Sequence, residues 1–169
     1  MPDVFTKSKR SEVMARIRSR GNRDTELALA RLLRAQRVSG WRRHLPVTCD
    51  KWPVTSKRLV SGSSHVTRRS SLTVRPDFVF SKQRTVIFVD GCFWHGCPKH
   101  ATKPKQNAAF WRRKLAANRA RDRRVNRALR RAGWRVVRVW EHELKRGLRN
   151  AGRGTPAVVQ RIRRALGAK

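Results

Sequence analysis

Two short apolar runs, PDFVF at 76–80 and RTVIFV at 84–89, lie on either side of the polar step Ser81-Lys82-Gln83. β-Branched and aromatic residues dominate both runs, and the gap suits a tight turn. The pair therefore predicts a hairpin of two core strands. Asp77 opens the first run and Asp90 closes the second. In an antiparallel pair the start of one strand lies beside the end of the other, so both carboxylates are expected at one sheet edge. Acids that meet there are costly unless they share a cation; two separate solvated aspartates are the plain alternative.

The residues that follow, GCFWHGCPKH at 91–100, add metal-ligating chemistry. Cys92, Cys97 and His100 are spaced Cys-x4-Cys-x2-His, and His142 supplies a fourth ligand from the far side of another strand. Two thiolates and two imidazoles around Zn2+ make a closed, structural, tetrahedral site. Buried thiols and surface histidines are the alternative. With three cysteines in all, a pure disulfide framework is disfavoured, and Cys49 reads as a free thiol. A phosphodiester-cleaving site also needs a cation that neutralises phosphate charge. Asp77 would bind Mg2+ directly, Asp90 would be a second ligand or orient a water, and the Val89 carbonyl would add an oxygen. His95 would relay a proton, unless it is a zinc ligand or a surface residue. Phe93 and Trp94 flank this site, while Phe110 and Trp111 open a later helix. In a basic setting such rings either wedge between base pairs or pack into a core.

Charge points to the partner. The chain carries 43 Lys and Arg against 10 Asp and Glu, a net +33 that calls for a polyanion. Nucleic acid is the leading class, because each phosphate contact releases counterions. Arg-rich coding would also inflate the number. A membrane surface is the rival, but there is no long apolar span and the start, MPDVFTKSKR, is polar. The expected setting is a reducing bacterial cytoplasm, at the nucleoid, with no membrane partner. The length of 169 residues suits one domain with one sizeable core.

Around the hairpin, 7–20 reads as a short basic helix. Residues 22–37 form a stronger one, capped by Asp24 or Thr25. Glu26 in its first turn is either a helix-dipole partner or an acid leaning into a cation site. WRRHLPV at 41–47 begins the sheet, and 48–71 reads as a long basic insertion without regular period. A basic helix at 106–132, stopped by Gly133, precedes a strand at 134–140 and a closing helix at 156–166. The order ααβββαβα predicts an α/β sandwich with a mixed sheet. It comprises a basic arm (1–21) and a catalytic domain (22–169).

RPDFVF, VIFVDGCFWHGCPKH, FWRRK, RDRR and GWRVVRVWEHE resemble the very short patch repair (Vsr) endonucleases, and RSEVMARIRSRGNRDTELALARLL resembles their N-terminal arm and first core helix. The resemblance covers residues 5–45 and 75–145. It implies a restriction-endonuclease-like three-layer fold and Mg2+-dependent nicking of double-stranded DNA 5′ of the T in T:G mismatches left by 5-methylcytosine deamination. It further implies Asp77 as central Mg2+ ligand, His95 as catalytic histidine, Glu26 as a helper acid and Asp122 as the acid that supports the histidine. Phe93, Trp94 and Trp111 match the rings that insert beside the mismatch. The zinc set falls on Cys92, Cys97, His100 and His142. The chain departs where some members carry Thr-His in place of Val89-Asp90, in having His142 for a thiolate, and in the longer 48–71 segment. An asymmetric nick suits a monomer, with downstream mismatch-repair proteins as further partners. The alternatives are a non-catalytic zinc-dependent DNA-binding module and a related endonuclease with looser mismatch or sequence preference.

Overall fold

The hairpin forms as its two apolar runs predict. Phe78–Phe80 and Thr85–Asp90 pair antiparallel, with Phe78 opposite Ile87 and Phe80 opposite Thr85. The structure, a computed structural model, describes residues 22, 25–53, 69–102, 104–149 and 154–167. Its elements in chain order are α1 (Glu26–Ala35), β1 (Arg42–Arg43), β2 (Val47–Pro53), β3 (Arg69–Val74), β4 (Phe78–Phe80), β5 (Thr85–Asp90), α2 (Ala108–Arg131), β6 (Arg135–Trp140), α3 (Glu141–Arg149) and α4 (Ala157–Leu166).

The main sheet runs β1-β4-β5-β6. β1 and β5 flank β4 antiparallel, while β5 and β6 are parallel, with Val86 beside Val136 and Asp90 beside Trp140. Parallel neighbours need a long crossover, and α2 supplies it. The period-2 alternation of strand side chains then splits the core in two. Phe78, Phe80, Ile87, Val137 and Val139 face one way, onto Leu29, Leu32 and Leu33 of α1, Leu144 of α3, and Val159 and Ile162 of α4. Val79 and Val86 face the other way, onto Ala128 and Leu129 of α2 and onto Val47, Cys49 and Val74. The result is a central mixed sheet with helices on both sides. Full burial of a ring such as Phe78 stabilises by roughly 2–3 kcal/mol, and truncating it to alanine costs about 3–5 kcal/mol.

Several expectations need correction. The stretch 48–71 is not without regular structure: β2 and β3 pair antiparallel from Val47↔Val74 to Pro53↔Arg69, with a register shift between Cys49 and Trp52. Val47, Cys49 and Val74 are buried in the core and Leu72 packs against it, while Thr48 and Thr73 face out. Residues 54–68 lie outside the described residues, as do the basic arm and its helix at 7–20. Asp24 also lies outside them, and Thr25, at the N-cap position of α1, makes no side-chain cap bond. In α2 the apolar stripe is buried only at its C-terminal end, and Phe110 is 51% exposed. Gly133 does end that helix. At φ 79° it donates to the Arg130 carbonyl and Trp134 donates to that of Leu129, the paired bonds of a Schellman stop. The segment after β6 is α3, which starts with no linker. Among the described residues no helix is long and apolar enough to cross a membrane.

Candidate active site

One rim of the sheet gathers the acids. Asp77 sits just before β4, where its carbonyl accepts the His44 amide at 3.3 Å. Its Oδ2 accepts the Val89 amide at 2.7 Å, so the carboxylate is pinned across the hairpin just past the last ladder pair. Burial pushes the Asp77 carboxyl up to about 6; the Val89 bond opposes this, and the Glu26 and Asp90 carboxylates add to it. Glu26, 5% exposed, turns from the start of α1 toward the same place. Its Oε2 accepts from Arg43 Nη2 at 2.7 Å and lies 2.9 Å from His44 Nε2. Ligand atoms of Glu26, His44 and Asp77 all fall within 4.8 Å of one another.

Asp90 comes to this rim as expected but in different company. It is 2% exposed, and Arg138 grips it with two charge-assisted bonds, Nε to Oδ2 at 2.6 Å and Nη2 to Oδ1 at 2.7 Å. His95 Nδ1 meets Asp122 Oδ2 of α2 at 2.6 Å and lies 3.6 Å from Asp90 Oδ1. Burial works to raise the Asp122 carboxyl, but the His95 bond and the Arg138 charge outweigh it and hold it below the usual range. Glu26, Asp77, Asp90, His95, Asp122 and Arg138 line one open cleft of about 680 Å³.

The turn after β5 aims His95. Gly96 takes φ +64°, a left-handed conformation that favours glycine; a Cβ there would also require the tip of Arg119 to move. Asn118 Nδ2 donates to the Trp94 carbonyl at 3.0 Å and ties the turn to α2. Phe93, Trp94 and Trp111 form one ring cluster, with centroids 5.1 Å apart for Phe93–Trp94, 5.1 Å for Phe93–Trp111 and 5.9 Å for Trp94–Trp111. All three rings are partly exposed, and Trp94 lines the cleft.

Behind the turn the sulfur and imidazole groups converge. Ligand atoms of Cys92, Cys97, His100 and His142 lie within 4.8 Å of one another. His142 Nδ1 is 3.2 Å from Cys92 Sγ and 3.7 Å from Cys97 Sγ, and His100 Nδ1 is 3.8 Å from Cys97 Sγ. Adjacent S and N ligands on a tetrahedral Zn2+ are about 3.5 Å apart, from bond lengths near 2.3 and 2.0 Å. Burial pushes the Cys92 thiol up; the His142 backbone opposes this, and Cys97 and Glu141 add to it. Burial and the nearby His100 push His142 down, toward its ligating neutral form.

Sequence reasoning missed three polar residues of the rim: Arg43, His44 and Arg138. Arg138 carried a signal, a charged residue inside the apolar strand run WRVVRVW. The two others gave none, because their partner Glu26 is far away in the chain.

With this geometry in hand, relatives identify the lineage. The profile of "DNA mismatch endonuclease Vsr" matches residues 54–102. The type II nicking enzyme V.NmeAIP of Neisseria meningitidis is 36% identical over 147 residues, covering 86% of each chain. The type II nicking enzyme V.NaeI of Lentzea aerocolonigenes is 54% identical over 70 residues, 41% of this chain and 42% of its own. DNA mismatch endonuclease Vsr of Escherichia coli is 42% identical over 95 residues, 53% of this chain and 61% of its own. The matches to V.NaeI and to the type II nicking enzyme V.XorIIP of Xanthomonas oryzae span about half of those relatives, 42% and 57%. The fold and site are those of a mixed α/β protein with an acidic cleft at one sheet edge. The chain belongs to the Vsr DNA mismatch endonuclease family, whose fold is restriction-endonuclease-like.

Proposed function

We propose that the chain is a Mg2+-dependent DNA endonuclease that nicks one strand of a duplex 5′ of the T in a T:G mismatch, with a structural zinc beside the cleft. The observation that carries this is the meeting of Asp77, Glu26 and the His95–Asp122 pair in one open cleft. Relatives named as nicking enzymes and as a mismatch endonuclease support it.

The residues present fit the implied metals. Burial is the main cause of the raised Asp77 carboxyl, the Glu26 and Asp90 carboxylates add to it, and a cation held there would favour the ionised form. Its carboxylate and the Val89 carbonyl are the hard oxygen donors that Mg2+ prefers, with Glu26 as helper acid. Mg2+ held there would neutralise the charge that builds on the phosphoryl oxygens during hydrolysis. Because both oxygens of Asp90 are bonded by Arg138, orienting a water suits Asp90 better than direct ligation. The ionised Asp122 accepts from His95 Nδ1–H, which leaves Nε2 to move a proton at the attacking water or the leaving oxygen. Cys92, Cys97, His100 and His142 would hold zinc as a closed set and fix the turn that carries His95.

Recognition rests on charge and rings. The net +33 supplies sequence-independent attraction to phosphates. Phe93, Trp94 and Trp111 would wedge at the mispair, where unstacking costs least. The enzyme would act as a monomer in the bacterial cytoplasm, upstream of mismatch-repair proteins.

The test is a nicking assay on a labelled T:G duplex and a panel of other mismatches, with Mg2+ and with EDTA, for wild type and Asp77→Ala. A nick confined to T:G duplexes and lost in EDTA and in the variant is expected. Cleavage by Asp77→Ala refutes the metal assignment. Retardation of the duplex without cleavage by wild type refutes the nuclease.

A further inference from the structure

Arg138 lines the cleft and bonds both oxygens of Asp90. It stands on β6 in register with Phe88 of β5, and its guanidinium lies over the Phe88 ring at 5.1 Å. The fork makes a two-point contact with Asp90, and Nη2 also lies 3.1 Å from Asp122 Oδ1. Nη1 donates to Asn126 Oδ1 at 3.1 Å. One planar cation thus touches both carboxylates that surround His95 and the α2 side chain one turn beyond Asp122. Arg138 is itself held from behind, since its carbonyl accepts from Arg161 Nη2 at 3.1 Å.

We infer that Arg138 is a positioning residue: by clamping Asp90 and Asp122 together it holds His95 in one ring orientation with Nε2 toward the cleft. This rests on the nuclease reading for its consequence, but its geometry does not. An ionised carboxylate only accepts hydrogen bonds, so Asp122 Oδ2 requires the proton of His95 on Nδ1. Asp122 has a second oxygen, and the Arg138 contact on Oδ1 stops the carboxylate from rotating or offering that atom instead. Asp90 Oδ1, at 3.6 Å, is the competing acceptor for His95, and Arg138 occupies it. The clamp therefore removes the alternative partner and fixes the chosen one. A lysine can supply the charge but not the planar fork that spans two carboxylates.

Three properties of wild type, Arg138→Lys and Arg138→Met decide the matter. They are the single-turnover nicking rate on a T:G duplex, the affinity for that duplex without Mg2+, and the His95 tautomer from nitrogen shifts in histidine-labelled protein. Arg138→Met is expected to nick about 100-fold slower, the scale of a small misplacement of a catalytic group. Its affinity should stay within threefold and its His95 signals should show mixed tautomers. Arg138→Lys should recover part of the rate. A merely structural ion pair would lower the melting temperature and leave the rate of the folded fraction and the tautomer unchanged. That outcome overturns the inference. If Arg138→Met does not fold, Arg138→Lys carries the test, with an expected tenfold slower nick at unchanged affinity; a wild-type rate overturns the inference. If wild type nicks no duplex, the nuclease reading falls. The tautomer comparison still decides the clamp: mixed tautomers in either variant support it, and wild-type tautomers in both refute it.

Discussion

The turn after β5 separates two polar clusters of opposite design. On one side Asp77 and Glu26 bring carboxylates into an open cleft, where burial and mutual repulsion keep the Asp77 carboxyl near 6. On the other side two thiols and two imidazoles close on one another, with Cys92 and Cys97 both buried. The first set is hard and oxygen-rich and lines the cleft. The second is soft, with its thiols buried and His100 at the surface. Hard oxygen donors with open access suit a metal that must meet substrate, and a closed S/N tetrad suits one that must not. Proteins that use both keep the exchangeable ion away from the permanent one by donor type as much as by distance.

The largest expected effect falls on the closed cluster. Structural zinc in small domains contributes roughly 10–16 kcal/mol of apparent binding energy to folding. Cys97→Ala should therefore lose bound zinc by elemental analysis and melt well below wild type. Asp77→Ala should keep one zinc per chain. A zinc-free wild type that melts unchanged after chelation would erase the contrast between the clusters.

Next is His95→Ala, which should slow nicking by about 10²–10⁴-fold, the range for a lost proton-transfer group. Duplex affinity and zinc content should not change. A zinc loss would move His95 from the cleft to the tetrad.

A smaller effect sharpens the electrostatic side. Asp77→Asn keeps an oxygen for the Val89 amide and removes the disfavoured charge. Without metal at pH 8 it should raise stability, with a ceiling of about 3 kcal/mol for a two-unit shift. The sign follows from linkage. The folded carboxyl at about 6 lies above its ordinary value of 3.8, so Asp77's contribution is full below 3.8 and is lost as pH rises through 6. At pH 4 the variant and wild type should melt much closer together; an equal gap at both pH values would remove Asp77 from the account.

The smallest effect is the pH dependence of Mg2+ stabilisation. Protons compete with the ion for Asp77 below about 6, so added Mg2+ should raise the melting temperature more at pH 8 than at pH 5. An equal shift at both would place the ion elsewhere.

The hairpin was legible because period-2 patterning and a short turn are local signals; the bond from the Val89 amide to Asp77 was not read from the sequence. Spacing pointed to Cys92, Cys97 and His100, and the parallel register of β5 and β6 brings the ligand atoms of His142 near theirs. The β2–β3 pair was not legible, because its register shifts between Cys49 and Trp52 and the two strands are separated by a long stretch of chain. α3 was not, because Leu144 and Gly147 alone are buried in it and its start is fused to β6. Arg138 shows a different limit. Its oddity inside a core strand was visible, but its partners sit on β5 and α2, and only the fold brings them together.

α2 carries three duties in sequence along one rod. Trp111 meets the ring cluster near its start, Asp122 meets His95 in its middle, and Leu129 sits in the core near its end. Each residue turns an α-helix by about 100°. Deleting a single residue between Trp111 and Asp122 would swing the tryptophan about a quarter-turn away from Phe93 and leave everything downstream in phase. The ring cluster and the His95–Asp122 pair are thus set by helical phase along one rod, and a deletion placed before Asn118 would part the rings while leaving that pair in register.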